Sequence, residues 1–587
     1  MMRRFFGRLL ATIGAIVLLV AAAGAGVFLW FKLDRPRVAD AVVLTLDLDR
    51  RLPEDRSRSG VLSLIERRAT PTLSEVIEGL DRAAADKRVK ALVVEIGSGR
   101  QGLAQTQELR AAVKRFRAAG KPAHVFSDSF GEFGNGTVGY YLAAAFDRIT
   151  LQPTGAVGLT GFYAESPFAR RLLDDWALTP RVGRREEFKN APNMLTETGF
   201  TPAHRANLEA LVKDLTRQVV GDVAADRGIE DGALRALIDR APFDAAQAKE
   251  ARLVDMLGYR DEAVEQARKD AGAGAKRMRF DRYLDALGRP KQHAKRIALV
   301  HGVGAIVRGG GGGSPLGDPA LGAARVAKAI GDAAQDDKVK AIVLRLDTGG
   351  GSYVASDTIR RAVERARAKG KPVVASMGNT AASGGYYVAL AADRIVADPA
   401  TLTGSIGVFA GKIYTEQAWR KLGVNWDGVP GAAHADLWTQ TRDYAPEERA
   451  WLESTLDRIY GEFVGRVASA RQIKPERARE LAKGRVWTGA EAKGLGLVDE
   501  LGGLDKAIQA ARGLAKIAED EATSLRLYPR PRSFLRRAID RFTGEDDEDS
   551  RSIELFAERV EPLAALARNL GLLGDMGVLS MPPLEIK

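Results

Sequence analysis

The chain has 587 residues, of which 45% are hydrophobic and 28% charged, an ordinary globular composition for a chain long enough to hold about two to four domains. Its net charge of +12 is spread along the chain without a basic stripe interleaved with aromatic residues, so no nucleic-acid partner is expected. The absence of cysteine excludes disulfides and a cysteine nucleophile, and none of the five histidines stands at metal-ligand spacing, so no metal site is expected either.

The first predicted element is a membrane-spanning helix. Leu9–Phe31 carries no charge and is long enough to cross a hydrocarbon core of about 30 Å. The short basic head at residues 1–8 is typical of a signal anchor with its amino terminus in the cytoplasm. We therefore expect the rest of the chain on the periplasmic side of the inner membrane. A cleaved signal peptide is the alternative, because Ala21–Ala23 offers small residues for cleavage.

Strands and helices alternate after the anchor. Ala41–Leu46 predicts a strand, Thr72–Ala85 a helix with one apolar face, Ala91–Ile96 a buried strand and Gln105–Ala119 a second helix. A turn at Gly120–Pro122 ends this helix before another strand. The alternation predicts an α/β fold of right-handed βαβ units around a parallel sheet.

The same pattern returns later in the chain. Asp81–Ile96 is repeated as Gly331–Leu346 at an offset of 250 residues, and Tyr140-Tyr141 is repeated as Tyr386-Tyr387 at an offset of 246. The chain therefore contains two copies of one fold. The predicted elements of the second copy are strand Ile297–Val300, helix Ala320–Ala334, strand Ala341–Leu346, helix Ser356–Ala368 and strand Val373–Ser376.

Three segments fall outside this alternation. A stretch rich in Lys, Arg and Gly at residues 270–295 predicts the boundary between the copies. Gly309–Gly313 predicts an irregular loop that serves as a lid or a tether. The composition changes again in the tail, residues 516–587, where an acidic run at Glu545–Asp549 precedes an amphipathic helix expected over Ile553–Leu573. We assign no chemistry to this tail.

Two glycine-flanked motifs in the second copy are candidates for chemistry. Asp347–Ser352 (DTGGGS) follows an apolar strand, and its small residues leave backbone N–H groups free to face a developing negative charge. Ala381–Tyr387 (AASGGYY) places Ser383 on a small-residue turn that leads into a helix. A tight turn with a helix N-cap is the structural alternative. This serine does not fit the GxSxG elbow of the α/β-hydrolases.

These two motifs, followed by Thr401–Val408 (TLTGSIGV), resemble the signal peptide peptidase A family (protease IV, peptidase family S49) in its long, duplicated form. The resemblance covers roughly residues 40–515. It implies two tandem ClpP/crotonase-like domains after the membrane helix, at residues 40–270 and 296–515. The first motif departs from the family pattern, because Gly349 stands in place of a proline and Asp347 in place of an asparagine.

The resemblance also implies a Ser-Lys dyad. Ser383 matches the family's nucleophile, and Lys189 matches the lysine that the duplicated form carries in its first copy. Counting 246 positions back from Ser383 leads to Thr137, and 246 positions forward from Lys189 leads to Ala435. Each copy thus lacks the group that the other retains. This reciprocal loss can be read from the chain alone, and it favours Lys189 over the other cationic residues.

Lysine can act as a base only when it is uncharged. We therefore expect burial to lower the pKa of Lys189. By resemblance, Ser405 steadies the lysine, and the backbone N–H groups of Gly384 and Gly351 stabilise the oxyanion. No metal or cofactor is required for this chemistry.

Together with the anchor, the resemblance implies a membrane-bound serine endopeptidase for apolar peptides such as remnant signal peptides. It also implies a homo-oligomer, a tetramer in the family. Two alternatives stay open: a crotonase-type enzyme that acts on acyl-CoA, and a catalytically inactive membrane scaffold, which the departures at Gly349 and Asp347 prompt. A distance of about 3 Å between the Lys189 amine and the Ser383 hydroxyl is what the dyad requires.

Overall fold

A computed structural model describes residues 36–55, 70–97, 101–272, 274–287, 294–311, 320–518, 520–530, 579–580 and 585–586. The predicted membrane span Leu9–Phe31 and the helix predicted over Ile553–Leu573 lie outside these ranges. Of the predicted glycine loop, Gly309–Gly311 is described and lies in a turn. In the described ranges, no helix combines the length and the apolar character needed to cross a bilayer.

The first half of the chain forms a six-stranded parallel sheet. Its strand Val89–Glu95 is buried along most of its length, as expected of a strand with helices on both faces. The preceding helix, Leu73–Ala85, begins with a capping box in which Thr72 and Glu75 satisfy each other's backbone N–H groups. In spatial order the strands are Lys276–Arg279, Val42–Asp47, Val89–Glu95, Ala123–Ser127, Arg148–Leu151 and Met256–Leu257.

The second half repeats this parallel sheet strand for strand, which agrees with the duplication in the sequence. Its strand Val373–Ala382, here called the serine strand, is longer than its counterpart and also pairs with Leu402–Gly404, which in turn pairs with Val486–Thr488. The six corresponding strands are, in the same spatial order, Thr523–Tyr528, Lys295–Val303, Val339–Thr348, Val373–Ala382, Arg394–Ala397 and Glu500–Leu501.

Helices flank both sheets. Those of the first half are Leu73–Ala85, Leu103–Ala118, Thr137–Ala143, Arg170–Asp175, Asn193–Thr196, Pro202–Arg227, Asp231–Arg240, Ala245–Glu250, Arg260–Asp270 and Phe280–Leu287. Those of the second half are Ala323–Gln335, Tyr353–Ala368, Gly384–Ala389, Glu416–Lys421, Pro446–Arg471, Pro475–Leu481, Gly489–Gly494 and Leu504–Leu514. The order and lengths of the major helices correspond between the halves.

Both sheets extend past the predicted limits of the repeats. Lys276–Arg279 lies beyond residue 270 and forms the edge strand of the first sheet. Thr523–Tyr528 lies beyond residue 515 and forms the equivalent edge of the second. The stretch from residue 270, predicted as a boundary, and the segment from residue 516, predicted as a tail, therefore each contribute a strand to a sheet. The helix predicted from Ala320 begins at Ala323, because Ala320–Gly322 pairs as a strand with Ala305–Val307.

The two halves are joined through backbone pairing. Thr179–Arg185 of the first half, here called the lysine strand, runs antiparallel to Val408–Tyr414 of the second. The side-chain amide of Asn207 adds two hydrogen bonds across the interface, donating to the carbonyl of Val486 at 2.8 Å and accepting its N–H at 3.1 Å. These contacts place the end of the lysine strand against the carboxyl end of the serine strand.

A buried arginine also joins the halves. Arg345 is 0% exposed and forms ion pairs with Glu54, at 2.9 Å, and Glu108, both from the first half. Its guanidinium also donates to the Oγ of Ser376 and the carbonyl of Met377, each at 3.1 Å. We call these five residues the arginine cluster. The cluster lies at the interface between the halves. Its arginine belongs to the strand Val339–Thr348, which leads into the DTGGGS motif.

Candidate active site

Ser383 lies at the junction of a strand and a helix. The serine strand ends at Ala382, and the helix Gly384–Ala389 begins directly after Ser383. The serine has φ 53° and ψ −111°, a conformation that residues with a side chain rarely adopt. Its N–H donates to the carbonyl of Gly404 at 2.7 Å. Such a backbone persists only where the surrounding structure holds it, and here strand pairing and this hydrogen bond do so.

Lys189 reaches Ser383 from the other half of the chain. It follows shortly after the lysine strand, and its N–H donates to the carbonyl of Glu186 at 3.2 Å in the turn between them. The Nζ of Lys189 lies 2.8 Å from the Oγ of Ser383 and 3.1 Å from both the Oγ and the carbonyl oxygen of Ser405. The structure thus brings together the three side chains that the sequence analysis names as catalytic.

The surroundings of Lys189 favour its uncharged form. The side chain is 0% exposed, and burial lowers its pKa well below the ordinary value of 10.5. Two glycines give it room: a Cβ atom on Gly484 would lie 2.5 Å from the backbone nitrogen of Lys189, and one on Gly407 3.1 Å from its Cδ. A neutral amine in this position has a lone pair to accept the hydroxyl proton.

The backbone of Ser405 is constrained in the same way as that of Ser383. It also has a positive φ, of 50°, and its N–H donates to the carbonyl of Arg485 at 2.7 Å. Its side chain is fully buried. Since both its hydroxyl and its carbonyl contact the lysine Nζ, Ser405 fixes the direction from which the amine approaches Ser383.

The two glycines predicted as oxyanion donors lie beside each other. Gly350–Gly351, here called the glycine strand, contains Gly351 at φ 153°, which favours glycine. A Cβ atom on Gly384 would lie 3.2 Å from the backbone nitrogen of Gly351, so the two main chains are nearly in contact. Gly384 is also the first residue of its helix, where N–H groups have no partner within the helix. The N–H of Gly384 is therefore available next to Ser383, whereas Gly351 is paired with Ile306 on one side and with Leu579 on the other.

The equivalent positions in the opposite halves lack this chemistry. Thr137 is buried, and its hydroxyl bonds Gly161 twice, donating to the carbonyl at 3.1 Å and accepting the N–H at 3.0 Å. Ala435 lies exposed in a turn. The threonine hydroxyl supports local structure and the alanine carries no functional group. The first half thus presents no serine, and the second half no lysine, at these positions.

The glycine strand has a neighbour that sequence reasoning missed. Leu579–Ser580 runs antiparallel to Gly350–Gly351, and Glu585–Ile586 runs antiparallel to Ala164–Glu165. The segment from residue 516, to which the sequence analysis assigns no chemistry, therefore borders the candidate site. Two-residue strands are too short to give a periodic signal in a sequence, so no sequence pattern predicts this pairing.

Known proteins match both halves of the chain. The model of peptidase family S49 matches residues 115–274 and 365–518. "Protease 4" of Salmonella typhi is 33% identical over 463 residues, which cover 76% of this chain and 73% of that protein. "Serine protease SPPA, chloroplastic" of Arabidopsis thaliana is 28% identical over 476 residues, covering 79% and 69%. The solved structure of ClpP1 from Listeria monocytogenes, 15% identical, covers 35% of this chain and 91% of its own, with a TM-score of 0.21.

Proposed function

The chain belongs to peptidase family S49, and on that premise we propose that it is a serine endopeptidase in which Ser383 is the nucleophile and Lys189 its general base. The observation that carries this proposal is the 2.8 Å distance between the Lys189 Nζ and the Ser383 Oγ. It lies within the range for direct proton transfer. Burial, which lowers the pKa of Lys189, supplies the uncharged amine that the transfer needs.

In the first step, the neutral amine of Lys189 takes the hydroxyl proton while the Oγ of Ser383 attacks the scissile carbonyl carbon. A carbon–oxygen bond forms, and the carbonyl electrons move onto its oxygen. The N–H groups of Gly384 and Gly351 stabilise the resulting oxyanion, and loss of one such donor typically costs about 10²–10³ in rate. Ser405 keeps the lysine Nζ directed at the nucleophile during the transfer.

In the second step, the ammonium group of Lys189 returns the proton to the leaving amine nitrogen as the carbon–nitrogen bond breaks. An ester on Ser383 remains. A water molecule then attacks this ester while Lys189 takes a proton from it, and the regenerated Ser383 hydroxyl receives that proton as the second product leaves. One residue therefore serves in turn as base and acid, and the cycle needs no other titratable group.

We infer that peptides bind as extended strands along the glycine strand. Its antiparallel pairing with Leu579–Ser580 supports this inference, since it shows that an extended segment fits along this side of the glycine strand, and a peptide would bind there in place of Leu579–Ser580. The expected substrates are apolar peptides such as remnant signal peptides. An anchor at Leu9–Phe31 in the inner membrane, with the catalytic part on the periplasmic side, would hold the site near such peptides. The homo-oligomer expected from the family resemblance stays a prediction.

The contact between Lys189 and Ser383 disfavours the two alternatives from the sequence analysis. Acyl-CoA chemistry in this fold has no need of a lysine from one half against a serine from the other. An inactive scaffold has no need to keep a buried amine at hydrogen-bond distance from a hydroxyl. Gly349 and Asp347, which prompt the scaffold alternative, leave the Lys189 contact intact.

A fluorophosphonate probe tests the proposal on the full-length chain in detergent, together with cleavage of an apolar peptide. We expect the probe to modify Ser383, Ser383→Ala to be neither labelled nor active, and Lys189→Met to be labelled about 10²–10⁴ times more slowly than the wild type. Ser454→Ala, a change at an exposed helical serine, is the control and should behave as wild type. Labelling and cleavage that persist in Ser383→Ala would contradict the proposal.

A further inference from the structure

The serine strand carries a bulge shortly before Ser383. Up to the pair of Leu346 with Met377, it is in regular parallel register with Val339–Thr348, but the next pair joins Thr348 to Ala381. Three residues of the serine strand, 378–380, therefore lie opposite the single residue Asp347. A bulge of this kind bends a strand and redirects the side chains that follow it. Its backbone groups also lose their ladder partners and need others.

Side chains supply those partners. The N–H of Thr380 donates to the Oδ1 of Asp347 at 3.0 Å, and the Oγ1 of Thr401 donates to the carbonyl of Gly378 at 2.8 Å. Asn379 extends the bulge to the other half, where its Oδ1 accepts the N–H of Gln105 at 3.2 Å. The bulge is thus held by the neighbouring strand, by the loop before Leu402–Gly404 and by the half that carries Lys189.

Asp347 has a second connection to the site. The next residue, Thr348, accepts the N–H of Gly350 on its Oγ1 at 3.1 Å, which shapes the turn into the glycine strand. Asp347 therefore contacts the serine strand through its side chain and is followed directly by the turn into the glycine strand, so it is linked to both elements on which the chemistry depends. In the first half, where Thr137 stands at the position of Ser383, the position 250 residues before Asp347 is Gly97, and glycine offers no side-chain acceptor.

The carboxylate of Asp347 stands among charged groups of both halves. A Cβ atom on Gly378 would lie 3.2 Å from the Asp347 Cγ and 3.5 Å from the Glu54 Oε1, so the two carboxyl groups face each other across this glycine. Burial and the charge of Glu54 raise the pKa of Asp347 to about 6, against the opposing influence of Arg345, the Thr380 N–H and Arg51. In this buried position the Oδ1 of Asp347 accepts the N–H of Thr380.

We propose that Asp347 is a positioning residue for Ser383: its side-chain oxygen holds the N–H of Thr380, and this fixes the bulge that aims the serine at Lys189. The inference rests on the proposed function, because it takes Ser383 as the nucleophile. Ser383 has an unfavourable backbone conformation that its surroundings must hold. Without the acceptor, the bulge relaxes and the Oγ of Ser383 leaves hydrogen-bond reach of the amine. A displacement of about 1 Å at such a site costs on the order of 10²-fold in rate.

Three substitutions separate the acceptor oxygen from the charge. Asp347→Asn keeps an oxygen acceptor of the same length without charge, whereas Asp347→Ala removes the acceptor. Asp347→Glu keeps the charge but moves the oxygens by one methylene group. We expect Asp347→Ala and Asp347→Glu to lower kcat and the rate of fluorophosphonate labelling about 10–100-fold with KM little changed. Asp347→Asn should stay within about threefold of the wild type, because the geometry of the acceptor is preserved.

The serine strand offers a matched control. At its opposite end, the Oδ2 of Asp393 accepts the N–H of Val373 at 2.8 Å, so Asp393→Ala removes the same kind of hydrogen bond far from Ser383, together with an ion pair to Arg367. We expect Asp393→Ala to lower the melting temperature without changing kcat, and Asp347→Asn to melt no lower than the wild type at pH 8.

The inference is overturned by wild-type labelling of Asp347→Ala, or by an Asp347→Asn variant as slow as Asp347→Ala. If Asp347→Ala fails to melt cooperatively, the comparison of Asp347→Asn with Asp347→Glu decides, and an active Glu variant beside an inactive Asn variant would overturn it. If Ser383→Ala remains active, the proposed function itself is wrong. If Ser383→Ala is inactive while Asp347→Ala is normal, only the positioning role is wrong.

Discussion

The Nζ of Lys189 lies 2.8 Å from the Oγ of Ser383, although 194 residues separate them along the chain. They come from different halves, and the lysine strand crosses between the halves to pair with Val408–Tyr414. The chemistry of the site therefore depends on the interface as much as on the two side chains. A substitution that shifts one half relative to the other acts on catalysis even where it leaves each half folded.

The rate of serine modification should fall at low pH with the titration of Lys189. Burial lowers the pKa of this amine well below 10.5, so the free base persists far below the pH at which an exposed lysine becomes protonated. We expect the rate of fluorophosphonate labelling to rise with pH through the lowered pKa and to be level above it. The Lys189→Met variant should be labelled slowly at every pH, without this rise in rate. A wild-type midpoint near 10.5 would contradict the prediction.

The pH dependence of the free energy of unfolding should also reflect the lowered pKa of Lys189. Between its lowered pKa in the folded state and 10.5, the unfolded chain holds a proton that the folded chain lacks. The free energy of unfolding therefore rises with pH in that window, by up to about 1.4 kcal/mol per pH unit. Lys189→Met should lose this slope in urea unfolding measured at several pH values. Lys213→Met, at an exposed position, is the control that should keep it.

Ser405→Ala should impair the reaction moderately. The substitution removes the hydroxyl that lies 3.1 Å from the Lys189 Nζ but leaves the Ser405 carbonyl contact at the same distance. A hydrogen bond of this kind contributes about 0.5–1.5 kcal/mol, which corresponds to a fall of roughly 2–10-fold in kcat with KM unchanged. Steady-state peptide cleavage measures it. Complete inactivation would mean that Ser405 has a further role, such as proton transfer.

Much of the candidate site could be predicted because the duplication provides a comparison within the chain. Thr137 and Ala435 identify which half lost which group, and this directs attention to Lys189 among many cationic residues. The central strands of both sheets could also be predicted from the sequence. Parallel strands buried on both faces contain continuous apolar runs, and Ala91–Val94 and Ala341–Leu344 are such runs within the strands Val89–Glu95 and Val339–Thr348.

What could not be predicted depends on pairing between distant segments. Lys276–Arg279 has three basic residues in four, so its place at the edge of a sheet leaves no apolar pattern. The role of Asp347 follows from a register shift between two strands, which no local pattern encodes. The pairing of Leu579–Ser580 with the glycine strand rests on main-chain N–H and carbonyl groups, which nearly every residue carries whatever its side chain.

Loss of Arg345 should destabilise the protein strongly. Its guanidinium forms ion pairs with the buried carboxyl groups of Glu54 and Glu108, and Arg345→Met leaves both without this cationic partner. Breaking a buried ion pair on one side costs about 3–5 kcal/mol, measurable as a lower free energy of unfolding in urea. Arg361→Met is the control, since Arg361 pairs with Glu364 at the surface, where an ion pair contributes at most about 1 kcal/mol.

A compensated variant checks the reason for this loss. Replacing Glu54 and Glu108 by glutamine in the Arg345→Met background removes the unpaired charges. We expect it to recover most of the lost stability, because the cost lies in uncompensated buried charge and not in the loss of attraction itself. A triple variant as unstable as Arg345→Met would show that the hydrogen bonds of Arg345 to Ser376 and Met377 matter more.

Removing the segment that pairs with the glycine strand should speed substrate entry. Leu579–Ser580 lies along Gly350–Gly351, while Ser383 and Lys189 have no exposed surface. A chain that ends at residue 578 leaves the main-chain groups of this edge free for a peptide. If the edge is free in only a fraction of the full-length molecules, the apparent affinity for substrate is reduced by that fraction, and truncation should restore it.

Matched truncations localise the effect. A chain that ends after Ser580 keeps the pairing with the glycine strand but loses that of Glu585–Ile586 with Ala164–Glu165. We expect this longer chain to resemble the full-length protein in KM for peptide cleavage, and the chain that ends at residue 578 to have a lower KM with kcat unchanged. Because both truncations leave the edge strands Lys276–Arg279 and Thr523–Tyr528 in place, we expect the melting temperature to change little. Equal KM values for all three chains would mean that a peptide does not compete with Leu579–Ser580 for the glycine strand.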